Sequence, residues 1–123
     1  GQACASSTPA SDNGERVIVV AVTKDKFDAA KPTENQGFVD AFLVLLKKYA
    51  ATNGHSFFTS PISKTSLDVG GQVGVRFEIM GAFDKCLRIL EFFQKATTKA
   101  TDSGVVSASV QCGTFDTVEI PKA

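Results

Sequence analysis

Apolar residues recur along this chain with two different periods. From Gln72 to Met80 the period is two: Val73, Val75, Phe77 and Ile79 share one parity, while Gln72, Gly74, Arg76 and Glu78 hold the other. That alternation predicts a strand with one buried face. Past Gly81 the period changes. Phe83, Cys86, Leu87, Leu90 and Phe93 recur at spacings of three and four, which predicts a helix over about 82–97 with a single apolar stripe. Upstream, Val17 to Val22 is a short, unbroken apolar run rich in β-branched residues. Such a run, within a strand at 15–23, suits burial on both faces. A second helical pattern covers about 34–52, with Phe38, Phe42, Leu45, Leu46 and Tyr49 as its stripe and Val39 and Leu43 widening it. Thr33 and Gln36 have the spacing of a capping box, and Asn53-Gly54 marks the helix stop.

The remaining segments complete the order. His55 to Ile62 reads as a second strand, placed at a sheet edge because Pro61 has no N–H to give. Residues 63–71 read as a loop. Val105 to Cys112 reads as a fourth strand, with Val106, Ala108, Val110 and Cys112 on one face and Ser107, Ser109 and Gln111 on the other. Residues 115–120 either extend it or form a short fifth strand. The order is then βαββαβ. Right-handed crossovers turn it into a ferredoxin-like α+β two-layer sandwich, an antiparallel four-stranded sheet with both helices on one face. The alternative is another two-layer α+β sandwich with five strands. Residues 1–14 lack periodicity and read as a flexible polar tether, leaving 15–123 as a single domain.

Composition narrows the possible functions. At 123 residues the chain has the size of one domain. Lys and Arg number 13, matched by 13 Asp and Glu, and both signs are spread throughout. Nucleic acid and anionic membrane surfaces select clustered positive charge, so neither is the expected partner. No apolar run approaches the ~18 residues of a membrane helix. Cys86 and Cys112 fall at predicted core positions, where a free cysteine acts as a small hydrophobe, so buried thiols are expected in preference to a disulfide.

Candidate chemistry is sparse. His55 is the sole histidine, and a lone His after a helix stop is more often a turn residue than a metal ligand. No ligand spacing, activated nucleophile or phosphate-cradling turn is present. An RNA-recognition sheet would show aromatic residues on its open face, but that face offers Gly74, Arg76 and Glu78, while Phe77 has core parity. An acylphosphatase would need a Gly-rich anion loop after the first strand, and Thr23-Lys24-Asp25-Lys26 is not one. No catalytic, cofactor or metal residue is therefore assigned, and no cofactor is expected.

Two segments carry a family resemblance. Phe42–Ile62, FLVLLKKYAATNGHSFFTSPI, resembles the helix, glycine and aromatic strand of bacterial envelope scaffolds. Val75–Phe93 resembles their next unit, an alternating strand, Gly81 and an aromatic-bearing helix. The pattern is similar to PilO-like proteins of type IV pilus assembly and the M-type proteins of type II secretion. The resemblance covers about 38–112 and implies a non-enzymatic scaffold domain, periplasmic or envelope-associated, that forms homo- or heterodimers. It departs from that family in its long loop after the first strand and in having no coiled-coil segment before the domain. Ala3-Cys4-Ala5-Ser6-Ser7 resembles a processed lipoprotein end. Membrane attachment would then come through lipid on Cys4 or a segment upstream of this sequence.

A protein partner needs a surface. The sheet face away from the helices is one, and Val17, Val19 and Ala21, or their opposite-parity neighbours, are expected on it. The edge strands are the other, through strand addition, with Phe57, Ser107 and Ser109 as candidates. The plain alternative is that the tail or the 63–71 loop covers this surface. A dimeric ligand-sensing or regulatory domain is the second functional reading, and it would be cytoplasmic. A small dimeric α/β-barrel enzyme, with His55 or Arg76 inside its barrel, is the third.

Overall fold

The computed structural model describes residues 15–54, 62–98 and 104–121. Its elements are β1 (Val17–Lys26), α1 (Pro32–Thr52), β2 (Ile62–Val69), β3 (Gln72–Ile79), a 3-10 turn (Phe83–Lys85), α2 (Cys86–Thr98), β4 (Ser107–Cys112) and β5 (Val118–Ile120). The strands form one sheet in the order β2-β3-β1-β4-β5, and every neighbouring pair is antiparallel. The architecture is an α+β sandwich with a five-stranded sheet and two helices. It departs from the four-stranded ferredoxin-like arrangement expected, because β5 pairs with β4 and becomes the outer strand.

β1 sits at the centre, and its register explains the core. Val17, Val19 and Ala21 lie opposite Ile79, Phe77 and Val75 on one side and Cys112, Val110 and Ala108 on the other. Antiparallel partners share a face, so these rows form one continuous apolar surface. Val39, Phe42 and Leu46 of α1 and Ile89, Phe93 and Ala96 of α2 pack into the same buried cluster, so both helices cover this face. Ile18 and Val20 stand on the opposite face and are half-buried. The expected burial of β1 on both faces therefore holds fully for one face only.

Several boundaries move, each for a local reason. The second strand is Ile62–Val69, and the segment read as a loop is most of it. Its sequence, ISKTSLDV, is polar because an edge strand has one neighbour and little burial. The earlier placement at 55–62, with His55, Phe57 and Pro61, lies outside the described residues except for Ile62. Gly70 and Gly71 join β2 to β3 with φ of 59° and 89°, the pair of positive angles that a type I′ hairpin turn requires. Asp68 Oδ1 accepts the Gly71 N–H at 2.8 Å. At Gly74 a Cβ would stand 2.5 Å from Val69 Cγ2, so the close approach of β2 to β3 uses the missing side chain.

The Thr33–Gln36 capping box is absent. Helix α1 begins with Pro32, its N-cap position is Lys31, and no side chain caps it. The loop before it is pinned instead by buried Asn35: its Nδ2 donates to Asp28 O at 2.7 Å, and its Oδ1 accepts the Asp28 N–H at 3.2 Å. On α2 the buried face is Ile89, Phe92, Phe93 and Ala96, while Leu87 is exposed. β4 is an interior strand, not an edge, since β5 covers its far side.

Candidate interaction surface

The open face of the sheet is a charged frame around a thin apolar strip. Arg76 Nη2 pairs with Glu78 Oε1 at 2.9 Å, and Arg16 reaches the same carboxylate at 3.4 Å. Ile18 and Val20 run beside them on β1, facing Gln111 and Ser109 of β4. Ser107 and Ser109, offered as edge residues for strand addition, stand instead on this open face of an interior strand, because β5 pairs along β4. Val17, Val19 and Ala21 do not: each is wholly buried under the helices, so none is available to a partner. Their opposite-parity neighbours Ile18 and Val20 hold the place proposed for them. Phe57 lies outside the described residues, as does Cys4.

A second surface gathers exposed apolar side chains at one end of the sheet. Phe83 stacks on Phe115, with ring centroids 5.8 Å apart and planes inclined by 20°. Leu87 follows Phe83 by four residues and is 75% exposed, and Phe115 is 64% exposed. The backbone holds these residues firmly. The Phe83 N–H donates to Glu15 O at 2.8 Å, the Gly113 N–H to Arg16 O at 2.8 Å, and the Phe115 N–H to Cys112 O at 3.1 Å. Gln111 Nε2 donates to Phe115 O at 3.1 Å. A disulfide joins Cys86 to Cys112, with Cα atoms 5.9 Å apart. It ties the start of α2, just after Phe83, to the end of β4, just before Phe115. This corrects the expectation of two buried thiols: the cysteines do occupy adjacent core-facing positions, but they are bonded.

A third feature is the groove between α1 and the β2 edge, about 220 Å³, lined by Asp40, Leu43, Val44, Lys47, Ile62 and Lys64. Lys64 Nζ lies 2.9 Å from Asp40 Oδ1. Hydrogen bonds from Lys64, then from the Gln36 amide, hold the Asp40 carboxyl below its ordinary value of 3.8. A carboxyl with a lowered folded value contributes stability above its unfolded value and loses it as pH falls through the folded one. An NMR titration is expected to place the Asp40 midpoint below 3.8, and Lys64→Ala should move it upward. An unmoved midpoint would mean that the pair does not form in solution.

Among the described residues no three His, Cys, Asp or Glu side chains gather as a metal site, and no helix is long and apolar enough to cross a membrane. Arg76, considered for a barrel enzyme, lies on the open face with its guanidinium paired to Glu78.

The family model of the secreted clade V proteins matches residues 17–119, from the first residue of β1 to the middle of β5. The chain belongs to this family. The match overturns the resemblance to PilO-like and type II secretion proteins, which rested on hydrophobic spacing and two glycines that many α+β chains share. No curated protein and no solved structure matches the chain. Membership in a family of secreted clade V proteins places the chain in an extracellular or envelope setting. A disulfide fits that setting, since such bonds persist in oxidising compartments. The cytoplasmic alternative loses its footing on the same two observations.

Proposed function

We propose that this secreted protein is a non-enzymatic interaction domain, and that the Phe83–Leu87–Phe115 cluster binds a partner protein. The observation carrying this reading is rigid exposure. Large apolar side chains held in place by a disulfide and a set of backbone hydrogen bonds lose little freedom on binding, and aromatic residues are prominent among binding hot spots. The order β2-β3-β1-β4, with both helices on one face, also supports reading these four strands as a ferredoxin-like unit extended by β5. That architecture hosts many functions, so the surface carries the argument.

The test is site-specific photocrosslinking in the fluid or tissue into which the natural protein is secreted. A photoreactive residue at position 87 is expected to capture one saturable partner, and the same residue at Glu91 should capture little. Excess wild-type protein should abolish the product, whereas excess Leu87→Ser/Phe115→Ser protein should compete at least about tenfold more weakly. Equal competition by both proteins would overturn the assignment. The double variant should keep its fold, because Leu87 and Phe115 are largely exposed and the aromatic stack it removes is worth only about 0.5–1.5 kcal/mol.

A further inference from the structure

From the open edge of β2 we infer that it is self-complementary and joins two copies of this chain into a continuous ten-stranded sheet. The inference starts from the hairpin. A two-residue type I′ turn closes on a hydrogen-bonded pair, here Val69–Gln72. Pairs then alternate along an antiparallel ladder. Leu67–Gly74, Thr65–Arg76 and Ser63–Glu78 are hydrogen-bonded pairs, whereas Asp68–Val73, Ser66–Val75 and Lys64–Phe77 are not. In a non-bonded pair the N–H and C=O point away from the neighbouring strand. Lys64, Ser66 and Asp68 therefore aim their backbone groups at the open side of β2, which has no neighbour among the described strands.

Those three residues have a two-fold pattern. Setting β2 antiparallel to a second β2 about Ser66 places Ser66 against Ser66, and Lys64 of each copy against Asp68 of the other. Lys64, Ser66 and Asp68 then all fall in hydrogen-bonded pairs, with two backbone bonds across each, while Ile62, outward by the same alternation, meets the Gly70 turn of the other copy. Each of the two outer pairs also joins opposite charges on the same face, the arrangement that stabilises cross-strand neighbours. A shift of two residues in either direction loses this match. Lys64 would stand between Asp40 of its own chain, already at 2.9 Å, and Asp68 of the second copy.

The helix layer agrees with this register. α1 packs over β2 and β3, and strands lie ~4.8 Å apart. Two copies of α1 would then flank the two-fold axis about 10 Å apart, the spacing of packed helices. Val44 is 69% exposed and lines the groove that opens toward this edge. The second α1 would cover it. The aromatic cluster plays no part in this contact, so the proposal stands or falls apart from the partner reading.

Sedimentation of the secreted, disulfide-intact chain tests it. At about 0.1 mM the wild type is expected to sediment as two chains. Ser66→Pro removes an outward N–H that the β2–β3 ladder does not use, so it should keep the fold and sediment as one chain. Lys64→Glu alone places like charges opposite each other in the homodimer, as does Asp68→Lys alone, and each should weaken association at least about tenfold. Mixed one to one, these two variants become complementary at both outer pairs, and the two-chain species should return. Thermal melts of each variant confirm folding; should Asp68→Lys unfold through loss of its turn contact, Asp68→Asn keeps that contact and should still weaken the dimer. A wild type that stays monomeric at about 0.1 mM would overturn the proposal. So would a dimer that survives Ser66→Pro, or folded variants whose mixture fails to recover the dimer.

Discussion

The Cys86→Ala/Cys112→Ala protein is expected to unfold roughly 10–15 °C below the wild type. The two cysteines are 26 residues apart in sequence. Constraining a loop of that length in the unfolded chain is worth about 3.5 kcal/mol on the chain-entropy account. In a domain of this size each kcal/mol moves the midpoint by about 4 °C. The loss should have a local signature as well as a global one. The bond ties the start of α2 to the end of β4, and the turn bearing Phe115 follows directly. Amide exchange at 113–117 should therefore speed up more than exchange in β3. Weakening that turn should also loosen the Phe83–Phe115 stack, so partner capture from position 87 should fall even at temperatures where the variant remains folded. Non-reducing digestion of the natural protein is the companion measurement, and it should yield a peptide joined through Cys86 and Cys112. Two free thiols in that digest, or an unchanged midpoint in the variant, would contradict the assignment.

The central strands were the most legible part of the chain. Val75, Phe77 and Val110 announce their face by simple alternation, and the structure buries them on one face, whereas the unbroken run Val17–Val22 does not say which of its parities the helices cover. Legibility fell off toward the edges, for a physical reason. An edge strand is held by one ladder and buries little, so β2 carries Ser, Lys, Thr and Asp where an interior strand carries Val and Phe. Composition alone makes ISKTSLDV look like a loop. Only the Gly70-Gly71 pair hinted at a hairpin, since consecutive glycines before an alternating strand are a turn signal. Reading the turn as I′ would have extended β2 backward from Val69.

The helix faces show a different limit. On α2 the periodic stripe through Phe83, Cys86, Leu87, Leu90 and Phe93 competes with a second through Ile89, Phe92, Phe93 and Ala96, the two sharing Phe93. The structure buries the second; of the first it buries Phe93, packs Cys86 and Leu90 partly against the core, and leaves Phe83 and Leu87 exposed. The first was counted from Phe83, which lies in the 3-10 turn, where the rotation per residue differs from that of the α-helix. Counting from the first true helical residue, Cys86, removes the ambiguity for Phe83 but not for Leu87. The disulfide was hidden for a related reason. Cys86 and Cys112 were both placed on core faces, but neither element order nor spacing says that a helix start meets a strand end. The shared parity of Ser107 and Ser109 was legible, but their place at a sheet edge was not, because the short β5 that covers β4 carries little pattern of its own. The Phe83–Phe115 stack was not, because it joins two turns across the sheet end. The placement of Val17, Val19 and Ala21 at an interface failed because strand parity alone does not say which face the helices take.

The core gives the other large expected effect. Phe77→Ala should destabilise the domain by about 3–5 kcal/mol, the usual range for removing a buried aromatic ring. Phe77 lies at the middle of β3, opposite Val19 of β1 and Lys64 of β2, and is wholly buried. Its ring lies 6.0 Å from that of Phe93, with planes inclined by 46°, so the change also removes a favourable aromatic pair. The strands around it are fixed by ladders on both sides, which limits the collapse that could fill the space. Domains of this kind have total stabilities of about 5–15 kcal/mol, so the variant should retain a small margin or none. Urea unfolding is the measurement, with the midpoint falling steeply while the slope stays close to that of the wild type. Phe83→Ala serves as the internal comparison, because Phe83 is partly exposed and stacks at the surface. It should cost about 0.5–1.5 kcal/mol. Equal losses at the two positions would mean that the Phe83–Phe115 cluster is part of the load-carrying core and not a surface reserved for a partner. A large loss at Phe77 with a small one at Phe83 would separate what holds the sheet together from what the sheet displays.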